Sequence, residues 1–241
     1  MTLPQLTDVS RYDVVIPSSG VKTQYRPYLV KEEKVLLIAL ESQEEKQILN
    51  ATVNLITECL NTNNVNIDLL TVYDIEYLFT QIRSKSVGET IAMHLICQTD
   101  DCDHVTETSV ALDSIEVEVF DKESRNISIT EDISIEMRHL PYKEAISNTA
   151  IINPSSFAEQ MFSTVISCID AVCTKDERIL AVDSTKEELT NFVESLTASQ
   201  FSSLRTFVEN TPTIVKKIEF KCSKCETDNK YTLAGLQDFF E

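Results

Sequence analysis

Glycine is scarce in this sequence: Gly20, Gly88 and Gly235 are the only three, and they lie far apart. A loop that cradles phosphates needs several glycines within one turn, so the P-loop and the dinucleotide fingerprint are excluded. Tryptophan is absent. Long apolar runs are also missing. Val35 to Leu40 is among the longest, far short of the ~20 residues a spanning helix requires. Residues 1–10 are polar and lead into Tyr12-Asp13, so no secretory signal is expected. Basic residues are few: 21 Lys and Arg against 39 Asp and Glu give a formal net charge of -18. That surplus repels a phosphate backbone, and the basic runs are short, such as Lys216-Lys217 and Lys221. No nucleic-acid partner is expected. Such charge serves as a solvated acidic surface or docks on a basic protein. His94, His104 and His139 form no motif, and neither Gly-x-Ser-x-Gly nor His-Glu-x-x-His occurs. The carboxylate pairs Asp100-Asp101 and Glu44-Glu45 are expected on solvated faces. No nucleophile, base and oxyanion set can be named, so neither catalytic residues nor a small-molecule substrate is expected.

What the sequence does have is cysteine. There are seven, an odd number, in a chain with no expected export signal. That combination points to a reducing compartment and to metal binding more than to disulfides. Cys97 and Cys102 are separated by four residues, Cys222 and Cys225 by two, and both spacings suit zinc knuckles. Strand-like sequence enters and leaves each pair, which sets two thiols at each of two hairpin tips. Facing tips would give a tetrahedral four-sulfur site for one structural zinc per chain. Four thiolates leave no open position to activate water. Binding of this kind supplies on the order of 10 kcal/mol of folding free energy. Free reduced thiols are the plainer alternative. A redox disulfide between Cys222 and Cys225 is another, although no helix N-terminus lowers a thiol pKa there. His104 is either a substitute ligand or a surface histidine. Cys59, Cys168 and Cys173 read as small core residues, the last two on or near the helix that starts at Phe157.

A length of 241 residues with 42% hydrophobic content is ample for a sizeable core. The expected fold is α+β, with an N-terminal hairpin, helical segments, short antiparallel strands and the zinc-ribbon-like pair of cysteine hairpins. Residues 1–88 read as a hairpin turning at Pro17 to Gly20, followed by three helices. In the first helix Leu29, Leu36, Leu37 and Leu40 face inward, with Lys31, Glu32, Glu33 and Lys34 outward. Asp74 is the expected cap of the third, and Gly88 its stop. Residues 89–138 read as β with the first knuckle. Residues 139–212 read as helical, with Phe157, Met161, Phe162, Val165 and Ile169 on one core stripe and a capping box within Ser184 to Glu188. Residues 213–241 hold the second knuckle and an aromatic tail. The two knuckles tie distant segments together, so 1–241 is expected to be one interlocked domain.

Three blocks carry a family resemblance. The first is Pro17 to Gly20 followed by Tyr25-Arg26-Pro27-Tyr28-Leu29-Val30-Lys31-Glu32-Glu33-Lys34. The second is Asp74 to Phe79 with Gln81 to Glu89. The third is the pair of knuckles, the last followed by Leu233 to Phe240. Together they resemble the baseplate hub proteins of T-even-like contractile-tailed bacteriophages. The resemblance implies a non-enzymatic protein, either a structural component or an assembly factor of the central hub. It implies other baseplate or hub proteins as partners. It places the chain in the bacterial host cytoplasm during assembly, with the virion tail baseplate as its other destination. A zinc-ribbon adaptor for proteins or nucleic acid is the competing class, and a metal- or thiol-dependent enzyme a third. The Tyr25 to Lys34 block is either a docking surface or a hairpin packed on its helix. The Gly235 to Phe240 tail is either a docking anchor or folds back over the zinc site.

Overall fold

A computed structural model describes residues 9–99, 102–112, 115–118, 125–152 and 154–234. Asp100, Asp101, Phe120, Ser124, Asn153 and the Gly235 to Phe240 tail lie outside the described residues. Among the described residues the fold is α+β, as expected. No helix among them is long and apolar enough to cross a membrane.

Two compact units emerge: residues 1–118 with 213–241, and residues 119–212. The first begins with a hairpin of β1 (Tyr12–Val15) and β2 (Lys22–Tyr25), closed by a turn in which Gly20 takes φ 69°. Then come α1 (Val30–Ser42), α2 (Glu45–Cys59) and α3 (Val72–Ser86). α1 packs on α2, and α2 on α3. Ile16, Ile56, Ile75, Leu78 and Ile82 are completely enclosed. Gly88, φ 147°, takes the chain out of α3 into β3 (Thr90–Ile96). β3 pairs with β4 (Val105–Ala111), and β5 (Glu116–Glu118) follows.

Two sequence expectations change here. Asp74 is not the cap of α3 but its third residue. Thr71 caps the helix, and the Asp74 carboxylate accepts from the Thr71 amide and hydroxyl in a reciprocal box. Its other oxygen accepts from the Ser18 amide at 2.9 Å, which fastens the first hairpin's turn to α3. In α1 the inward face is Glu32, Leu36 and Ala39, while Leu37 is exposed. Glu32 is drawn in because Arg26 Nη2 (2.9 Å) and the Leu29 amide (2.7 Å) both donate to it.

The second unit holds β6 (Asn126–Ser128), β7 (Ser134–Met137), α4 (Tyr142–Ser147), α5 (Thr149–Ile152) and α6 (Phe157–Ser167). β8 (Ile169–Cys173), β9 (Arg178–Leu180), α7 (Lys186–Glu194) and α8 (Ala198–Glu209) complete it. Four antiparallel strands form a sheet in the order β6-β7-β8-β9. Region 139–212 is therefore not purely helical. α6 stops at Cys168, and Ile169, assigned above to its stripe, opens β8 instead. Phe157 is exposed, whereas Val165 is fully enclosed. The capping box expected within Ser184 to Glu188 forms between Thr185 and Glu188, and Thr197 with Gln200 makes another on α8. Ile135, Met137, Ile169, Val193, Leu204 and Phe207 make the core.

The chain re-enters the first unit at β10 (Thr213–Lys221), which pairs with β5 on one side and β11 (Asp228–Ala234) on the other. Thr213 lies opposite Glu118, so the second unit is an insertion whose two ends start from paired strands. Leu95, Val110, Leu112, Ile214, Ile218 and Leu233 pack together between the β3-β4 hairpin and this sheet. That apolar layer holds the two cysteine hairpins side by side.

Candidate metal centre

Each cysteine pair sits at a hairpin tip that the flanking strands impose. β3 runs directly into Cys97, and β10 directly into Cys222. The Cys97 amide donates to the His104 carbonyl (2.9 Å) and the Cys222 amide to the Thr227 carbonyl (3.0 Å), closing the two tips in the same manner. Asp103 and Glu226, each directly after the second cysteine of its pair, have φ of 41° and 59°. This left-handed step turns the chain sharply into the outgoing strand. It costs a side chain with a Cβ about 1 kcal/mol. The Lys224 amide lies 3.4 Å from Cys222 Sγ and donates to it.

The tips meet sulfur to sulfur. Cys97 and Cys225 Sγ are 3.6 Å apart, Cys102 and Cys222 Sγ 3.8 Å, and all four lie within 4.8 Å of one another. Each close contact joins one hairpin to the other. Sulfurs bound at about 2.3 Å around a tetrahedral ion sit about 3.8 Å from each other. The two close contacts between the hairpins have that length, and the soft donors fit a four-coordinate thiophilic ion. Cys97 and Cys222 are buried, Cys102 is half-buried and Cys225 exposed. His104 does not belong to the group. Its Nε2 instead lies 2.7 Å from Ser223 Oγ and bridges the two tips.

The sequence pattern did not reveal Asn229. This β11 side chain is 4% exposed and touches both tips. Its Oδ1 accepts from the Gln98 amide (2.8 Å), and its Nδ2 donates to the Thr227 carbonyl (2.9 Å) with Cys97 Sγ 3.6 Å away. A buried asparagine one residue into an outgoing strand is the signal that could have singled it out.

The cage polarises its thiols. Hydrogen bonding from the Thr227 side chain and amide brings the Cys225 thiol down to about 5. The Thr99 side chain and amide lower Cys97 likewise. At Cys102 the His104 backbone pulls down, but desolvation and the crowded thiols of Cys225, Cys222 and Cys97 prevail, to about 12. The remaining cysteines lie apart. Burial raises Cys59 to about 11 and Cys168 to about 12, and Cys173 on β8 is also raised. Cys168 is the C-terminal cap of α6, so neither it nor Cys173 lies within that helix.

The family model for the T4 bacteriophage base plate protein matches residues 9–241. The chain belongs to this family. No curated protein and no solved structure matches it. In this base plate family member the match takes in both hairpins, so the cage lies within what the family spans. The Tyr25 to Lys34 block divides in two: Tyr25 and Glu32 are buried, whereas Leu29 and Val30 are exposed.

Proposed function

We propose that this chain is a non-enzymatic component or assembly factor of the central hub of the phage baseplate, stabilised by one structural zinc ion. The tail assignment is carried by the family match over residues 9–241. Its partners are then other baseplate or hub proteins, met in the host cytoplasm during assembly and retained in the tail for a virion component. Neither nucleic acid nor a small-molecule substrate has a part in this role. Cys97, Cys102, Cys222 and Cys225 would hold the zinc, and the four-sulfur cage supports that assignment. When bound, the ion supplies folding free energy and no activated water, because the sulfurs fill its coordination. The protein's own contribution is the orientation of the thiols by the Thr227, Thr99 and Asn229 side chains and the Lys224 amide. The proposed role also treats 1–241 as one interlocked body.

Co-expression with the other baseplate proteins of the same phage tests the role. A stable complex that co-purifies with at least one hub protein is expected. Failure to associate with any of them, with the chain folded, would contradict it.

A further inference from the structure

The four cysteines of the cage meet solvent differently. Cys97 and Cys222 are enclosed, Cys102 is half-buried and Cys225 is exposed. Cys225 Sγ faces across the hairpins to Cys97 Sγ at 3.6 Å. Thr99 Oγ1 lies beside both sulfurs, 3.3 Å from Cys97 and 4.0 Å from Cys225. Cys222 is engaged elsewhere: its sulfur accepts from the Lys224 amide and lies 3.8 Å from Cys102 Sγ. The cysteines outside the cage are placed otherwise. Cys59 and Cys168 are buried, and Cys173 Sγ lies 3.3 Å from a Glu136 carboxylate oxygen. Cys225 thus combines exposure with a second sulfur within reach.

We infer that Cys225 is the site at which a peroxide enters this centre, and that Cys97 resolves it into a disulfide joining the two hairpins. The inference rests on the four-cysteine cage and not on the tail role. The Cys225 sulfur attacks hydrogen peroxide and breaks its O–O bond. One oxygen stays as the sulfenic acid and the other leaves as water. Cys97 Sγ then attacks the Cys225 sulfur, the S–S bond forms, and the sulfenic oxygen departs as a second water. Two thiols are oxidised and one peroxide is reduced to two waters. The protons come from the thiols, or from solvent where a metal holds them as thiolates. A bound ion loses two of its ligands in the process. The sulfurs close from 3.6 Å to about 2.05 Å, a movement made by the exposed Cys225 side chain. The bond joins residues 128 apart in sequence, so a covalent staple takes over the pinning of the hairpins. The competing product is the local Cys222–Cys225 bond of a single tip.

Graded hydrogen peroxide on the purified full chain, followed by non-reducing peptide mapping with mass spectrometry, tests this. The first disulfide is expected to be Cys97–Cys225, with loss of two of the seven thiols and full reversal by dithiothreitol. In Cys97→Ser the sulfenic acid is expected to persist on Cys225 and to be trapped there by dimedone. The map of the native chain decides even where that variant does not fold, and it is read whether or not the chain carries zinc. A first disulfide between Cys222 and Cys225, a first disulfide that leaves Cys225 free, or thiols that survive excess peroxide would overturn the inference.

Discussion

At the scale of single residues the cage depends on side chains that ligate nothing. Asn229 fixes the Gln98 amide and the Thr227 carbonyl at once, one on each hairpin tip. Partners in the shell around a metal typically govern 10–100-fold in affinity. Asn229→Leu is expected to weaken metal retention about tenfold in a chelator competition. Asn229→Asp is expected to weaken it at least as much. It keeps the acceptor for the Gln98 amide but turns a buried carboxylate oxygen on the Thr227 carbonyl and Cys97 Sγ in place of a donor. Glu32 makes a different point. Burial pushes its carboxyl up, but the Arg26 guanidinium, the Leu29 amide and Lys31 hold it below the usual carboxylate value. A carboxyl lowered by folding stabilises the fold above its unfolded pKa, and that contribution fades as pH falls through the folded value. Glu32→Gln should therefore melt below the native chain at neutral pH, with the gap closing in acid. A gap that is constant or widens on acidification contradicts the ion pair's role. Helical spacing alone puts Leu37 inside and Glu32 outside. The fold does the reverse because Arg26, on the strand exit before α1, supplies the charge that spacing cannot register.

At the scale of elements, local chemistry was legible wherever neighbours in sequence decide it. The strands flanking the cysteines form within single hairpins, and the capping box on α7 within one turn. What was hidden depends on distant partners. β8 reads as a continuation of the α6 stripe because Ile169 keeps helical spacing from Val165. It becomes a strand by pairing with β7, more than thirty residues upstream. The same applies to Asp74, whose local role was near enough but whose bond to the Ser18 amide spans 56 residues. Asp74→Ala strips acceptors from the Ser18 amide and from the Thr71 amide and hydroxyl. A loss of about 3 kcal/mol in denaturant unfolding is expected, against about 1 kcal/mol for Thr71→Ala, which removes only the cap. Equal losses would argue that the fastening of the first hairpin contributes nothing.

At the scale of the molecule, the candidate centre was readable because cysteine spacing is a strong local signal, and the apolar layer under it supplies the meeting of the two hairpins. Family membership extends over almost the whole chain, whereas the contacts define two units with the second inserted between β5 and β10. An interlocked body predicts one calorimetric unfolding transition that moves to lower temperature with a chelator. Two resolved transitions, one of them indifferent to the chelator, would make the inserted unit a domain in its own right. The four-cysteine centre itself is tested most directly by the zinc content of the purified chain, measured beside Cys97→Ser, Cys102→Ser, Cys222→Ser and Cys225→Ser. One zinc per native chain is expected, with zinc lost from every variant. A native chain free of metal, or a Cys222→Ser variant that keeps its full zinc, would contradict a shared site.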